Sequence, residues 1–339
     1  MAENGGIYAS LLRQELCWRN QRLASGRAHV QSYGSQPVIV YEPEEGRHGN
    51  FFDAAYAAIL QEAGWLRRLG KIHAQGRSLP KAESGRRWRE LDSSMSSDSL
   101  LMNIFCTPGV LESPVLRDAL GLAEWEAPVF GWKARVPLDN GRADRTEIDM
   151  RLGSLLVEAK LTESDFQSRV AAVVEAYRNF DTVFERDLLP RITVPLGRRK
   201  EAAEYPEDYS QEFEGFADPA ELELLTVTAP PVRPPLQERP QANEAVEIHY
   251  ASYQLIRNVL AAYAHGCSFC VLHDERRPDL REAWFQVMAA VKHAEMRVRL
   301  KVLTWQELAA LLPEDLQDFL HLKYGITAAG AAHSFGLQV

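Results

Sequence analysis

The stretch Thr146–Leu161, TEIDMRLGSLLVEAKL, limits what this chain can fold into more than any other part of it. Gly153-Ser154 separates two runs of aliphatic and β-branched residues, and a two-residue loop with Gly first is the signal of a type II′ hairpin. Such a turn sets the register. Leu152 falls opposite Leu155, Arg151 opposite Leu156, Met150 opposite Val157 and Asp149 opposite Glu158, with Glu147 and Lys160 as the next pair on that side. Alternation then gives Ile148, Met150, Leu152, Leu155, Val157, Ala159 and Leu161 one apolar face. Glu147, Asp149, Arg151, Glu158 and Lys160 share the other.

Side chains directly paired across antiparallel strands have Cβ atoms roughly 4.5–5.5 Å apart, which brings the Asp149 and Glu158 carboxylates together. Two carboxylates at that spacing repel unless a cation lies between them. Mg²⁺ takes oxygen ligands and needs only one or two protein carboxylates, with water and phosphate completing its shell; Mn²⁺ is the alternative. Lys160, two residues along, is placed to orient or deprotonate an attacking water and to offset developing charge. The chemistry implied is metal-assisted phosphodiester hydrolysis. The competing reading is an amphipathic hairpin whose charged face is merely solvated.

Composition sets the outer bounds. The chain has 339 residues, 46% hydrophobic and 25% charged, which suits a soluble globular protein with ample core. No apolar run approaches the ~18 residues needed to span a bilayer, and the charged N-terminus with Trp18 is no signal peptide, so no membrane association and a cytoplasmic location are expected. The net charge is −9, yet residues 201–223 alone hold nine acidic residues and no Lys or Arg, so the remainder is balanced and compatible with DNA. Cys267 and Cys270 form a lone CxxC in an apolar context. Buried thiols are the plainer reading, with zinc or redox chemistry as the alternative.

Along the chain, residues 7–24 read as a helix with Leu11, Leu12, Leu16 and Leu23 on its apolar side, and Pro37–Tyr41 as a short strand. Asp53–Leu69 reads as one helix striped by Phe52, Tyr56, Ile59, Leu60, Ala63 and Leu66. Residues 76–90 gather Arg77, Lys81, Arg86, Arg87 and Arg89 around Trp88. That is a nucleic-acid contact or, equally, a solvated loop anchored by a buried Trp. Ser93–Ser99 supplies N-caps for a helix over 100–105. Trp125–Pro137 is a strand followed by a turn at Asp139–Arg142. After Lys160, Thr162 or Ser164 caps a helix running to about Asp187. Five prolines between Pro230 and Pro240 exclude regular structure there, so 197–247 is an insertion or surface loop, with gating of the site by its acidic residues as the alternative. Tyr250–Tyr263 is a helix with Gln254, Arg257 and Asn258 on one polar face. Strands at 268–273 and 298–304 alternate with helices at 281–294, 305–312 and 314–324, an α/β pattern.

Asp149 followed by Glu158-Ala159-Lys160 resembles the PD-(D/E)XK nuclease superfamily, although Ile148 stands where its Pro would be. RHGNFFDAAY, WLRRLGKIH, GRRWRELDSS…NIF, the hairpin and YQLIRNVLAA, in that order, are similar to a bacterial restriction-endonuclease-like family within it. The resemblance implies an α/β restriction-endonuclease-like core with a mixed central β-sheet flanked by helices. It implies Asp149, Glu158 and Lys160 as catalytic residues, and Mg²⁺ on Asp149, Glu158 and the Ala159 carbonyl. Glu147, Glu163, Gln254 and Asn258 take second rank around the cleft. A further acidic or polar group from a preceding helix is also implied, with Asn103 and Glu112 as candidates. Arg86, Arg87, Trp88 and Arg257 are the candidate nucleic-acid contacts. The expected activity is DNA cleavage leaving a 5′-phosphate, in restriction or defence, with a homodimer as one open assembly. The rival is a non-catalytic nucleic-acid-binding or defence-complex subunit that keeps the fold. The organisation expected is an N-terminal helical region (1–90), a core in two parts (91–196 and 248–325) interrupted by the 197–247 insertion, and a tail at 326–339.

Overall fold

A computed structural model describes residues 5–34, 36–72, 88–124, 126–195 and 246–330. In chain order its main elements are helices α1 (Gly5–Leu23), α2 (Asp53–Gln61), α3 (Ala63–Arg68), α4 (Ser97–Phe105) and α5 (Pro114–Leu120), then strands β1 (Val129–Lys133), β2 (Glu147–Leu152) and β3 (Leu155–Ala159). Three short strands follow, β4 (Ser168–Val170), β5 (Arg191–Pro195) and β6 (Val246–Ala251). Helix α6 (Tyr253–His265), strand β7 (Ser268–His273), helix α7 (Pro278–Ala290), strand β8 (Leu300–Thr304) and helices α8 (Trp305–Ala309) and α9 (Glu314–Tyr324) complete the core.

The central sheet has five strands in the order β8-β7-β3-β2-β1. β8 and β7 run parallel, as do β7 and β3, whereas β3 with β2 and β2 with β1 are antiparallel. The fold is therefore α/β with a mixed central sheet flanked by helices. Every residue of β3 is buried, and it sits at the middle of the sheet. One apolar cluster packs α6 and α7 on one side, and another packs α1, α4, α5, α8 and α9 on the other.

The hairpin register holds from Leu152↔Leu155 to Met150↔Val157, with Gly153 at φ 56° making the turn. There the ladder ends. Asp149 does not pair with Glu158 through the backbone; its carboxylate accepts the Ala159 N–H at 2.8 Å. Glu147 likewise pairs with Lys133 of β1 rather than with Lys160. The single apolar face also breaks at this level. Met150 packs with the α4 side, but Ile148 and its partner Trp132 pack with the α6 side. Gly131, between these pairs and opposite Asp149, takes φ 63°, a conformation that interrupts a strand's pleat.

Other expectations are corrected as well. In α1, Leu12 and Leu16 are buried, whereas Leu11 and Leu23 are exposed. The helix expected over 53–69 breaks at Glu62, whose backbone is extended and whose carboxylate caps the Trp65 N–H. Trp65 Nε1 donates to Pro128 O at 2.9 Å, docking α3 against the start of β1, and Leu60 and Leu66 are left exposed. No long helix follows Lys160. Residues 161–167 are irregular because the fully buried Arg277 takes the carbonyls of Leu161, Glu163 and Ser164, which a helix would need for itself. Only short helices follow, at Ala171–Glu175 and Phe180–Val183. The sheet of β4, β6 and β5 takes up Arg191–Pro195, and β6 includes Val246 and Glu247 ahead of Ile248. Trp125 and nearly all of the 197–247 insertion lie outside the described residues. Cys267 and Cys270 are buried free thiols.

α9 ties the N-terminal region to the core through Lys323. Its ammonium group is buried, donating to Asn20 Oδ1 at 2.9 Å and Gly49 O at 3.2 Å above the Tyr41 ring. Burial drives its pKa well below the usual lysine range. Folding therefore disfavours the protonated amine, and stability rises with pH between the lowered folded value and the unfolded lysine value of about 10.4. Lys323→Met is expected to stabilise the fold at pH 7 by about 1–3 kcal/mol and to flatten this slope. Denaturant unfolding at pH 7 and pH 9.5 checks it; destabilisation at both would show that the two hydrogen bonds outweigh desolvation.

Candidate active site

The end of the sheet at which β2 begins and β3 finishes holds the hairpin carboxylates. Glu158 is almost wholly buried at the C-terminal end of β3, and both its oxygens are engaged. Lys160 Nζ lies 3.0 Å from Oε1, and Asn258 Nδ2 of α6 donates to Oε2 at 2.7 Å. Lys160 is held rigidly. Its N–H donates to Leu272 O in β7 at 2.8 Å, its carbonyl accepts Trp305 Nε1 at 2.9 Å, and its ammonium lies over the Phe166 ring. Burial opposes the Lys160 charge, but Glu158, Glu163 and Asp149 together raise its pKa above the ordinary lysine range. Lys160 is thus an ammonium at neutral pH.

Asp149 shows the opposite balance. Burial, then the charges of Glu158 and Asp98, push its pKa well above the carboxylate range, against smaller opposition from Lys160 and the Ala159 N–H. Asp98 arrives from the first turn of α4, which Ser96 caps by accepting the Ser99 N–H. Arg68 and Lys71 offset the burial cost of Asp98 and keep its pKa below the usual value, at 2.6 and 3.3 Å. Arg68 also grips Glu147 at 2.8 Å. Gly131 makes room for it, since a Cβ there would lie 2.1 Å from Arg68 Nη1. The break at Glu62 and the docking of Trp65 are what carry Arg68 to this place.

Of the second-rank residues, Asn258 touches Glu158 directly. Glu147 faces Arg68, and Glu163 accepts Ser97 Oγ and the Leu161 N–H, both at 2.7 Å. Gln254, one turn before Asn258, has a buried side-chain carbonyl with no hydrogen-bond partner among the described residues. Arg257 is turned inward at 2% exposure. It donates to Glu147 O at 3.1 Å and Asn258 Oδ1 at 3.1 Å, which orients Asn258 rather than offering a guanidinium to a phosphate. Trp88 is also buried, packed on Val40, while Arg86 and Arg87 lie outside the described residues. Asn103 is occupied with Phe52 N–H and Asn50 O, and Glu112 is exposed, so the helix contribution is Asp98 instead. Its position in the first turn of a Ser-capped helix, SSDSLL, was the available signal. Arg68 and Lys71 had none, because the break at Glu62 is not visible in helical periodicity.

Three carboxylates, Asp98, Asp149 and Glu158, thus act on one another, and burial with the two neighbouring carboxylates disfavours the ionised form of Asp149. A hard divalent cation bound there would offset that cost. Among the described residues no three His, Cys, Asp or Glu side chains converge as a ready-made metal cage.

The chain matches, over residues 18–325, the family described as Restriction Endonuclease associating with ARP. It belongs to the REase-ARP family. The match covers every element that builds this site, from Arg68 to Trp305. No match was found among curated proteins or solved structures. For this REase-ARP member no helix among the described residues is long and apolar enough to cross a membrane.

Because the folded pKa of Asp149 is raised, its contribution to stability is complete only below the unfolded value and is lost as pH rises through the folded one. Asp149→Asn is therefore expected to raise the metal-free melting temperature near pH 7.5 by about 2–4 °C, the shift that roughly 1 kcal/mol gives in a domain of this size, with the gain vanishing toward pH 4. Scanning calorimetry in EDTA across that range tests it. An unchanged or lower melting temperature at pH 7.5 would remove the repulsion argument.

Proposed function

We propose that this protein is a metal-dependent endonuclease of the PD-(D/E)XK type that hydrolyses DNA phosphodiester bonds in restriction or defence. The observation that carries the reading is the Lys160 ammonium 3.0 Å from Glu158, beside an Asp149 whose ionised form is disfavoured by burial and by the neighbouring carboxylates, all at the end of the central strand. Asp149, Glu158 and the Ala159 carbonyl would hold Mg²⁺ or Mn²⁺, which when bound neutralises charge on the scissile phosphate and lowers the pKa of a coordinated water. Lys160 orients the attacking water and offsets charge developing on the phosphate. Asn258, steadied by Arg257, fixes the Glu158 carboxylate so that one edge faces Lys160. Asp98, balanced by Arg68 and Lys71, adds to the field that attracts the cation. Cleavage would leave a 5′-phosphate. The association with ARP in the family's description is carried over to this chain as part of the proposal, as is a cytoplasmic site of action.

Lys160→Ala is expected to abolish Mg²⁺- or Mn²⁺-dependent nicking of supercoiled plasmid, a loss of at least about 10²-fold, the lower range for removing a general acid–base group. Asp149→Asn is expected to weaken Mn²⁺ binding measured calorimetrically. Nicking by Lys160→Ala at the wild-type rate would remove Lys160 from the chemistry. DNA binding by wild type without any cleavage would assign a non-catalytic binding subunit.

A further inference from the structure

The connection between β1 and β2 is itself a small hairpin, Val136–Pro137 paired with Ala143–Asp144 around a turn at Asp139–Arg142. It leaves the sheet at the end where the candidate site lies, because β1 finishes and β2 begins there. Its residues alternate. Ala134, Val136, Leu138 and Asp144 are buried, whereas Lys133, Arg135, Arg142 and Arg145 are exposed. In a chain of net charge −9 this is a concentrated cationic element. Among the described residues none of Lys133, Arg135 and Arg145 pairs with a carboxylate.

The element is rigid. Asp144 accepts the Tyr177 hydroxyl at 2.5 Å and the Thr146 N–H at 2.8 Å, and Tyr177 in turn meets the Tyr253 hydroxyl at 2.8 Å. The Leu138 backbone bridges to Tyr177, the Asp139 N–H donates to Ala176 O, and the ring of His265 bonds to Ala134 O. Arg135 is held at φ 50°, a backbone conformation that non-glycine residues rarely adopt. The hairpin is thus braced from several sides, and Lys133, Arg135 and Arg145 on it are exposed cations with no carboxylate partner among the described residues.

We propose that the hairpin of residues 133–145 is the surface on which the DNA backbone docks, with Lys133, Arg135 and Arg145 binding phosphates beside the scissile one. The inference rests on the endonuclease reading and gives it a substrate-holding surface that Arg257 and Trp88, both buried, do not supply. Arg145 is four residues from Asp149, a reach of at most about 14 Å, over which duplex DNA presents several charges at one per ~1.7 Å of axis. Contacts of this kind set the position of the duplex without reading its bases.

The test is fluorescence anisotropy of a labelled 20-bp duplex in EDTA, titrated with the full chain between 50 and 200 mM salt. The triple variant Lys133→Ala, Arg135→Ala, Arg145→Ala is expected to bind at least about tenfold more weakly, with a salt slope shallower by about 2.7, at 0.9 per phosphate contact. Asp139→Asn, on the same hairpin, should bind at least as tightly as wild type. Arg145→Gln, at an exposed site, keeps the test available if the triple variant does not fold, and its slope should fall by about one. Affinity within twofold of wild type and an unchanged slope in the variants overturn the inference; if wild type still nicks plasmid, the endonuclease reading survives that failure. Wild type that neither binds nor nicks DNA overturns both, and binding through these residues to an acidic protein but not to DNA overturns the docking surface.

Discussion

The structure depends on carboxylates brought together where water is scarce. Asp98, Asp149 and Glu158 come from three separate elements, and each would be costly there alone, since burying an unpaired charge carries a penalty of several kcal/mol. Three cations are arranged around them, unevenly. Asp98 has Arg68 and Lys71, Glu158 has Lys160, and Asp149 has only a backbone N–H. Lys160 also draws on Asp149, but less than burial and the two carboxylates oppose its charge. Much of the surrounding architecture serves to hold the imbalance. Trp305 and Leu272 fix Lys160, Arg257 steadies Asn258, Gly131 clears a path for Arg68, and Arg277 keeps 161–164 from winding into a helix.

Much of this was legible in the sequence where local rules govern. The Gly153-Ser154 turn, the register of its first three pairs, the buried central strand and the α/β alternation after residue 268 all follow from periodicity and turn chemistry. What failed were the places where one distant residue overrides local propensity. Arg277 lies 113–116 positions from the carbonyls it captures, and nothing in Leu161–Gln167 announces it. The break at Glu62 depends on Trp65 finding Pro128, again a tertiary event. The polar face of α6 was readable as a face, but whether Arg257 turned outward to a phosphate or inward to Glu147 was set by packing. Alternation was reliable until Gly131 interrupted it, opposite the residue of greatest interest.

Membership of the REase-ARP family and this geometry bear on the same region of the chain from different directions. The family match extends over every element that contributes a side chain to the site, so the charges at the sheet end lie inside the matched region. Residues 196–245 fall between β5 and β6, and those two strands pair directly with one another.

The placement of β3 has a consequence for the making of the protein. Glu158 meets Asn258 across 100 residues, and Lys160 takes its seat only when β7 and Trp305 are present. At 5–20 residues per second a ribosome needs on the order of ten seconds between delivering the hairpin and delivering its partners. Throughout that interval the chain holds the hairpin but not the arrangement around it. The sheet end is therefore among the last parts of the chain to be completed, after residues 258 to 305 have been made.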